Sequence, residues 1–131
     1  MILFALLACT TNQPPKFLTV NGVKVKYIFD TPILLDGPYP ETSLGETLQL
    51  DVGLRDREGD DVRLWWSNAP PGFVSDPDST TATWTVPEDY WAGAVNLTVV
   101  AEDDHNPPAA EAFVFTVTVW GVDTGFDTAL F

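Results

Sequence analysis

The chain has 131 residues, which is enough for one domain with short appendages. Six basic against 19 acidic residues give a formal net charge of −13, which excludes nucleic acid and anionic lipid headgroups as partners and attracts cations. Eleven prolines and nine glycines between short apolar runs predict an all-β chain rich in turns.

The first nine residues form an apolar run that ends in the only cysteine, Cys9. The run is too short to span a bilayer as a helix. It resembles the end of a bacterial lipoprotein signal, with Leu6-Leu7-Ala8-Cys9 as the lipobox and Cys9 as the lipidated residue. The alternative is a free thiol near an apolar N-terminus. The resemblance implies a location in the bacterial cell envelope, with membrane contact only through this lipid.

The next part of the chain is polar and rich in turn residues. Residues 10–16 have the composition of a tether. Asn21-Gly22 lies between two alternating apolar runs and predicts a hairpin over residues 17–29, because a type I′ turn needs positive φ at both central positions. Prolines and a glycine in residues 30–43 predict a loop with a short edge strand at 33–35.

Apolar and polar residues alternate in five later segments, which predicts strands with one face in a core. The segments are 46–54, 62–67, 79–85, 94–102 and 111–120. The inward residues of the last two are predicted to be Val95, Leu97, Val99, Ala101, Phe113, Phe115, Val117 and Val119. We expect Trp66 and Trp84 to pack between the two sheets.

Four short motifs occur in a fixed order between residues 44 and 120. They are Gly45-Glu46-Thr47-Leu48, Asp56-Arg57-Glu58-Gly59-Asp60, Pro70-Pro71-Gly72-Phe73 and Ala101-Glu102-Asp103. Together they resemble the bacterial cadherin-like and putative immunoglobulin-like modules. The resemblance implies a Greek-key β-sandwich of about seven strands, used for surface adhesion, ligand display or spacing, sometimes with bound calcium. The hairpin at 17–29 is an addition to that pattern.

The resulting division of the chain has five parts. They are a signal remnant (1–9), a tether (10–16), a hairpin and loop (17–43), the sandwich (44–120) and a polar tail (121–131).

Acidic residues concentrate in two loops that a sandwich of this topology places at one pole. The predicted metal ligands are Asp56, Glu58, Asp60, Asp61, Asp103 and Asp104. Calcium takes about six to eight oxygen ligands in flexible geometry, which carboxylates on neighbouring loops can supply. The resemblance carries calcium most directly onto Asp56, Glu58, Asp60 and Asp103. The alternative is a solvated turn in which Arg55, Arg57 and Arg63 neutralise some of the carboxylates.

Three tryptophans, Trp65, Trp91 and Trp120, are candidates for an exposed aromatic surface that stacks on sugars or on a partner protein. In the alternative, Tyr90 and Trp91 close the corner at residues 87–93. Trp65 would then lie against the N-terminal hairpin.

The sequence gives little basis for catalysis. His105 is the only histidine, and no Ser-His-Asp or Cys-His site can be assembled around it. Asp123-Thr124-Gly125 matches the aspartic-protease triplet in letters only, because that chemistry needs two aspartates that share a proton in a closed cleft. We therefore expect a non-catalytic envelope module that binds a surface protein or glycan, with a carbohydrate-binding module as the alternative.

Overall fold

The computed structural model describes residues 12–34 and 37–121. Within these residues the chain forms eleven β-strands and no helix, so that no described helix could serve as a membrane span. The strands are β1 (Lys16–Val20), β2 (Val23–Lys24), β3 (Lys26–Ile28), β4 (Thr31–Ile33), β5 (Glu41–Ser43), β6 (Thr47–Arg55), β7 (Val62–Ser67), β8 (Phe73–Ser75), β9 (Thr81–Thr85), β10 (Gly93–Asp103) and β11 (Ala110–Trp120).

Two sheets pack face to face. One has the order β2-β1-β6-β9-β8 and the other β5-β11-β10-β7, while β3 and β4 form a separate two-stranded sheet. The chain crosses between the main sheets from β5 to β6, β6 to β7, β7 to β8 and β9 to β10, and β5 runs parallel to β11. This topology is that of an immunoglobulin/cadherin-like Greek-key β-sandwich, and it confirms the predicted fold class.

The core follows from the period-two pattern. The four predicted inward residues of β10 are at most 7% exposed, and those of β11 at most 4%. Trp84 of β9 is fully buried. Trp66 is partly buried at the edge where the sheets meet, with its ring centroid 5.0 Å from that of Phe73 and 5.9 Å from that of Phe115. Full burial of one large apolar side chain stabilises the fold by about 1.5–3 kcal/mol.

The predicted hairpin at residues 17–29 begins at β1 and β2. Asn21 and Gly22 have φ values of 51° and 79°, as a type I′ turn requires. However, β1 also pairs with β6, from Lys16↔Arg55 to Val20↔Val52. The hairpin is therefore part of the five-stranded sheet, and the sandwich extends N-terminally of residue 44.

The edge strand predicted at residues 33–35 lies earlier, at Thr31–Ile33, and Leu35 is outside the described residues. The strand pairs with β3 alone. Pro32 is compatible with this position, because an edge strand can lack one N–H donor. Residues 41–43, predicted as loop, form β5 on the edge of the four-stranded sheet.

The loops 56–61 and 104–109 meet at one end of the sandwich, which we call the acidic pole. Asp103 pairs with Val62 in the β10–β7 register, and the Asp104 N–H donates to the Asp61 carbonyl oxygen at 3.0 Å. Because Lys16 pairs with Arg55, residues 12–15 also reach the sandwich at this end. The topology thus gathers three separate segments of the chain at the acidic pole.

Candidate metal centre

The turn after β6 is shaped by its first aspartate. The Asp56 Oδ1 atom accepts the Glu58 N–H and the Asp60 N–H, both at 3.0 Å. Aspartate favours such turns because its side chain can replace a backbone acceptor. Gly59 supplies the positive φ of 75° that lets the chain turn back. The turn therefore holds its three acidic side chains in a defined arrangement.

Four of the six predicted metal ligands come together. Asp56, Glu58, Asp60 and Asp103 each offer one carboxylate oxygen, and these oxygens all lie within 4.8 Å of one another. Calcium–oxygen distances are about 2.3–2.6 Å, so oxygens on opposite sides of one ion are roughly 5 Å apart. The four oxygens are therefore close enough together to surround a single calcium ion.

Asp103 is the most buried member of the group, with only 3% of its surface exposed. Burial raises its pKa, but three hydrogen bonds outweigh burial and hold the pKa of Asp103 below its usual value. The donors are the Ala109 N–H at 2.9 Å, the Asn12 amide at 2.7 Å and the His105 N–H at 3.2 Å. Asp103 is therefore ionised at neutral pH.

Asn12 belongs to the site, although its segment was predicted to be a tether. Its Nδ2 donates to Asp103 Oδ2. The neighbouring Gln13 N–H donates to Glu58 Oε1 at 3.1 Å. The composition of residues 10–16 gives no sign of these contacts. The only available signal was that an asparagine and a glutamine stand just before the Pro14-Pro15 pair that leads into β1.

Three oxygens at the acidic pole are buried and accept no hydrogen bond from the described residues: Asn12 Oδ1, Asp56 Oδ2 and Asp60 Oδ2. A buried acceptor without a partner costs about 1–3 kcal/mol, and more when it is charged. A hard cation is one kind of partner that could satisfy such oxygens. The residues present therefore fit calcium, with four carboxylates and one amide oxygen as available ligands.

The electrostatics of Asp60 point the same way. Burial raises its pKa, and the negative charges of Asp56, Asp104 and Asp103 raise it further. His105 Nδ1, 3.8 Å from Asp60 Oδ2, acts in the opposite direction. The ionised form of Asp60 is thus disfavoured by its neighbours, as expected where carboxylates gather around a site for a cation.

Two predicted ligands lie outside the group. Asp61 and Asp104 are exposed, are joined through their backbones, and line a shallow depression with Arg63 and Asp78. The turn directs Asp56, Glu58 and Asp60 towards Asp103. Asp61 directly follows Asp60, Asp104 directly follows Asp103, and both face solvent. Sequence reasoning placed the two loops together, as the structure has them, but could not separate these orientations.

The candidate aromatic surface is divided between two places. Trp65 is 41% exposed and lies level with Ala112 in the sheet register, whereas Trp120, 55% exposed, is about eight residues further along β11. At about 3.4 Å per residue the separation is roughly 27 Å, so Trp65 and Trp120 do not form one strip. Trp65 also does not cover the N-terminal hairpin, because that hairpin belongs to the other sheet.

Tyr90 and Trp91 close the corner at residues 87–93, as the alternative to an exposed aromatic surface predicts. Tyr90 packs edge-on against Trp84, with ring centroids 5.6 Å apart, and stacks on Trp91 at 5.7 Å. Trp91 is 55% exposed and lies against Gly93. Gly93 pairs with Val119, so Trp91 and Trp120 share the end opposite the acidic pole.

Two substitutions at the acidic pole are expected to change stability in opposite directions when EDTA removes divalent ions. The folded-state pKa of Asp60 is raised, so its ionised form opposes folding and its contribution to stability increases as the pH falls. The folded-state pKa of Asp103 is lowered, so its contribution is present above the unfolded pKa and is lost as the pH falls through the folded pKa. At pH 7, Asp60→Asn should raise the free energy of unfolding, and Asp103→Asn should lower it by about 1.5–3 kcal/mol. Denaturant unfolding checks both signs, and a loss of stability in Asp60→Asn would contradict the proposed repulsion.

No protein-family model matches the chain, and no curated protein matches it significantly. Among solved structures, it is similar to a nucleoside hydrolase-related hypothetical protein from Saccharophagus degradans that is associated with carbohydrate metabolism. The TM-score is 0.59 at 21% identity, over 83% of this chain and 26% of that chain.

Cadherin domains are also among the structural neighbours. Mouse cadherin-23 EC22-24 has a TM-score of 0.48 and 26% identity, over 66% of this chain and 30% of that one. Domains 1–5 of protocadherin gamma B2 have a TM-score of 0.48 and 20% identity, over 87% of this chain and 21% of that one. The chain thus spans less than a third of each of these structures.

Proposed function

We propose that this chain is a non-catalytic binding, display or adhesion module of the bacterial cell envelope, stiffened by calcium at its acidic pole. One observation carries the proposal. Four carboxylates converge within 4.8 Å beside three buried oxygens that accept no hydrogen bond. Such an arrangement is costly without a cation and favourable with one.

The proposed role as an adhesion module rests on the rigidity that a cation would give the acidic pole, and not on a binding pocket. Bound calcium would supply positive charge to Asp56, Glu58, Asp60 and Asp103. The Asn12 carbonyl oxygen is available as a neutral ligand. The ion would then join three segments into one rigid unit: residues 12–15, the β6–β7 loop and the end of β10. Such rigidity suits a module that presents a surface protein or a glycan in a fixed orientation.

The non-catalytic role rests on the placement of the only histidine. The His105 imidazole lies 3.8 Å from Asp60 at the acidic pole, and its backbone N–H donates to Asp103. It is therefore part of the electrostatics of the metal centre. The Asp123-Thr124-Gly125 triplet lies outside the described residues.

Anchoring is proposed through Cys9, which lies outside the described residues, and rests on the lipobox resemblance. In the native host we expect the full chain in the membrane fraction and Cys9→Ser in the soluble fraction. Mass spectrometry should show acyl chains on Cys9. Thr10→Ser is the matched control, because it leaves the cysteine in place. Identical fractionation of Cys9→Ser and the unsubstituted chain would contradict anchoring and leave the calcium proposal intact.

A further inference from the structure

A second site lies on the other side of the segment that carries the metal ligands. It is a groove of about 540 Å³ between β1, the β3 strand and residues 55–57. Pockets that bind small molecules typically have about 300–1,000 Å³. The groove is therefore large enough for a ligand the size of one sugar ring or one aromatic ring with its substituents.

Alternation along the end of β6 and the following turn separates the two sites. Asp56 and Glu58 contribute oxygens to the metal centre, whereas Arg55 and Arg57 line the groove. The turn that follows β6 therefore has carboxylates on one side and the guanidinium groups of Arg55 and Arg57 on the other. The arginines are therefore not the neutralising partners of the acidic turn.

The charge of the groove is unusual for this protein. Three of its six basic residues, Lys16, Arg55 and Arg57, line this one groove of a chain with a net charge of −13. Lys16 is engaged, because its Nζ lies 3.6 Å from Glu111 Oε1 and 4.7 Å from the centre of the Tyr27 ring. In the part of the chain that the structure describes, neither arginine has an ion pair.

The remaining lining sets the charge and shape of a ligand. Asp30 supplies one carboxylate, so the two unpaired arginines exceed it by a single positive charge. The Tyr27 hydroxyl accepts the Phe17 N–H and donates to Glu111, and is thus unavailable to a ligand. Its ring, together with Leu18 and Val25, provides apolar surface beside the guanidinium groups.

We propose that this groove binds a small molecule that carries one carboxylate on a compact body with an apolar face. The planar guanidinium group matches a carboxylate through two parallel hydrogen bonds, and Arg55 and Arg57 are the groups that would make them. The apolar face of the ligand would pack on Tyr27 and Leu18. The carboxylate could belong to an aromatic acid or to a sugar acid, which the probes below distinguish.

The test is an NMR titration of the full chain in EDTA, so that its outcome does not depend on calcium. The probes are benzoate and glucuronate, each compared with its neutral counterpart, benzyl alcohol and glucose. We expect saturable shifts of the amides of Tyr27, Arg55 and Arg57 with at least one carboxylate and none with the neutral counterparts. The carboxylate with the lower Kd identifies the source.

Two variants make the result specific. Arg57→Gln should weaken binding by about tenfold or more, because it removes a charge-assisted hydrogen-bond donor. Arg63→Gln makes the same change in charge on β7, outside the groove, and should bind as the unsubstituted chain does. The proposal is overturned if neither carboxylate gives a saturable shift, if the neutral probes shift the same amides equally, or if Arg57→Gln binds with unchanged affinity.

Discussion

Calcium at about 10 mM is expected to raise the unfolding temperature of the full chain by roughly 10 °C relative to EDTA. The four carboxylates converge only in the folded state, so the ion is expected to bind the folded state selectively. If Kd is about 0.1 mM, as in extracellular calcium modules, the stabilisation is about 2.7 kcal/mol. For a domain of this size each kcal/mol shifts the midpoint by several degrees. Thermal unfolding followed by circular dichroism measures the shift.

The control for general screening is magnesium at the same concentration, because any divalent salt reduces self-repulsion in a protein with a net charge of −13. Magnesium demands a smaller, more regular shell, so its effect should be clearly smaller. Asp56→Asn should abolish the calcium increment, since asparagine can keep the two hydrogen bonds of the turn but not the charge. Asp89→Asn, an exposed position remote from the acidic pole, should keep the increment. Equal shifts with both ions, or an increment retained in Asp56→Asn, would contradict the metal centre.

Replacement of Trp84 by alanine is expected to lower the free energy of unfolding by about 3–5 kcal/mol. Trp84 is fully buried, and its ring meets Tyr90 edge-on at 5.6 Å. Its Nε1–H donates to the Pro71 carbonyl oxygen at 2.9 Å, which would be left without this donor. Since domains of this kind are stable by about 5–15 kcal/mol, the loss is a large share of the total. Urea unfolding, compared at equal slope, measures it.

Trp120→Ala is the matched control, because it removes the same side chain from a position that is 55% exposed. Its indole N–H donates a long hydrogen bond of 3.4 Å to Glu41 Oε1. Its effect should stay within about 0.5 kcal/mol. Similar losses in both variants would mean that Trp84 is not the centre of the core.

The fold could be predicted from the sequence because the core strands have one face in water and one in the core. Period-two alternation in β10 and β11 identified eight buried residues correctly, and Asn21-Gly22 located the hairpin turn. The short strands were harder to predict. β5 has three residues and owes its conformation to its pairing with β11, which is a contact distant in sequence. Local pattern carries no signal for such a strand.

The sequence predicts which loops form the candidate site, but not the individual contacts within it. Topology placed the two acidic loops together, but the contact from Asn12 to Asp103 spans 91 residues and depends on where β1 begins. The opposite orientations of Arg57 and its acidic neighbours were visible as alternation in Arg55-Asp56-Arg57-Glu58. The alternative in which Arg55, Arg57 and Arg63 neutralise the turn finds no ion pair of these arginines among the described residues.

The described chain begins at Asn12, beside the acidic pole, and leaves at Gly121 at the opposite end, after β11 has run roughly 37 Å. Tension applied between these two points acts along the strands. It loads the β1–β6 and β5–β11 ladders in shear, so that their hydrogen bonds share the force and do not open one by one. Among the described residues, the hydrogen bond from Asn12 to Asp103 is the attachment nearest to the N-terminal point of such a pull. Under the proposed function, a cation at the acidic pole would strengthen that attachment.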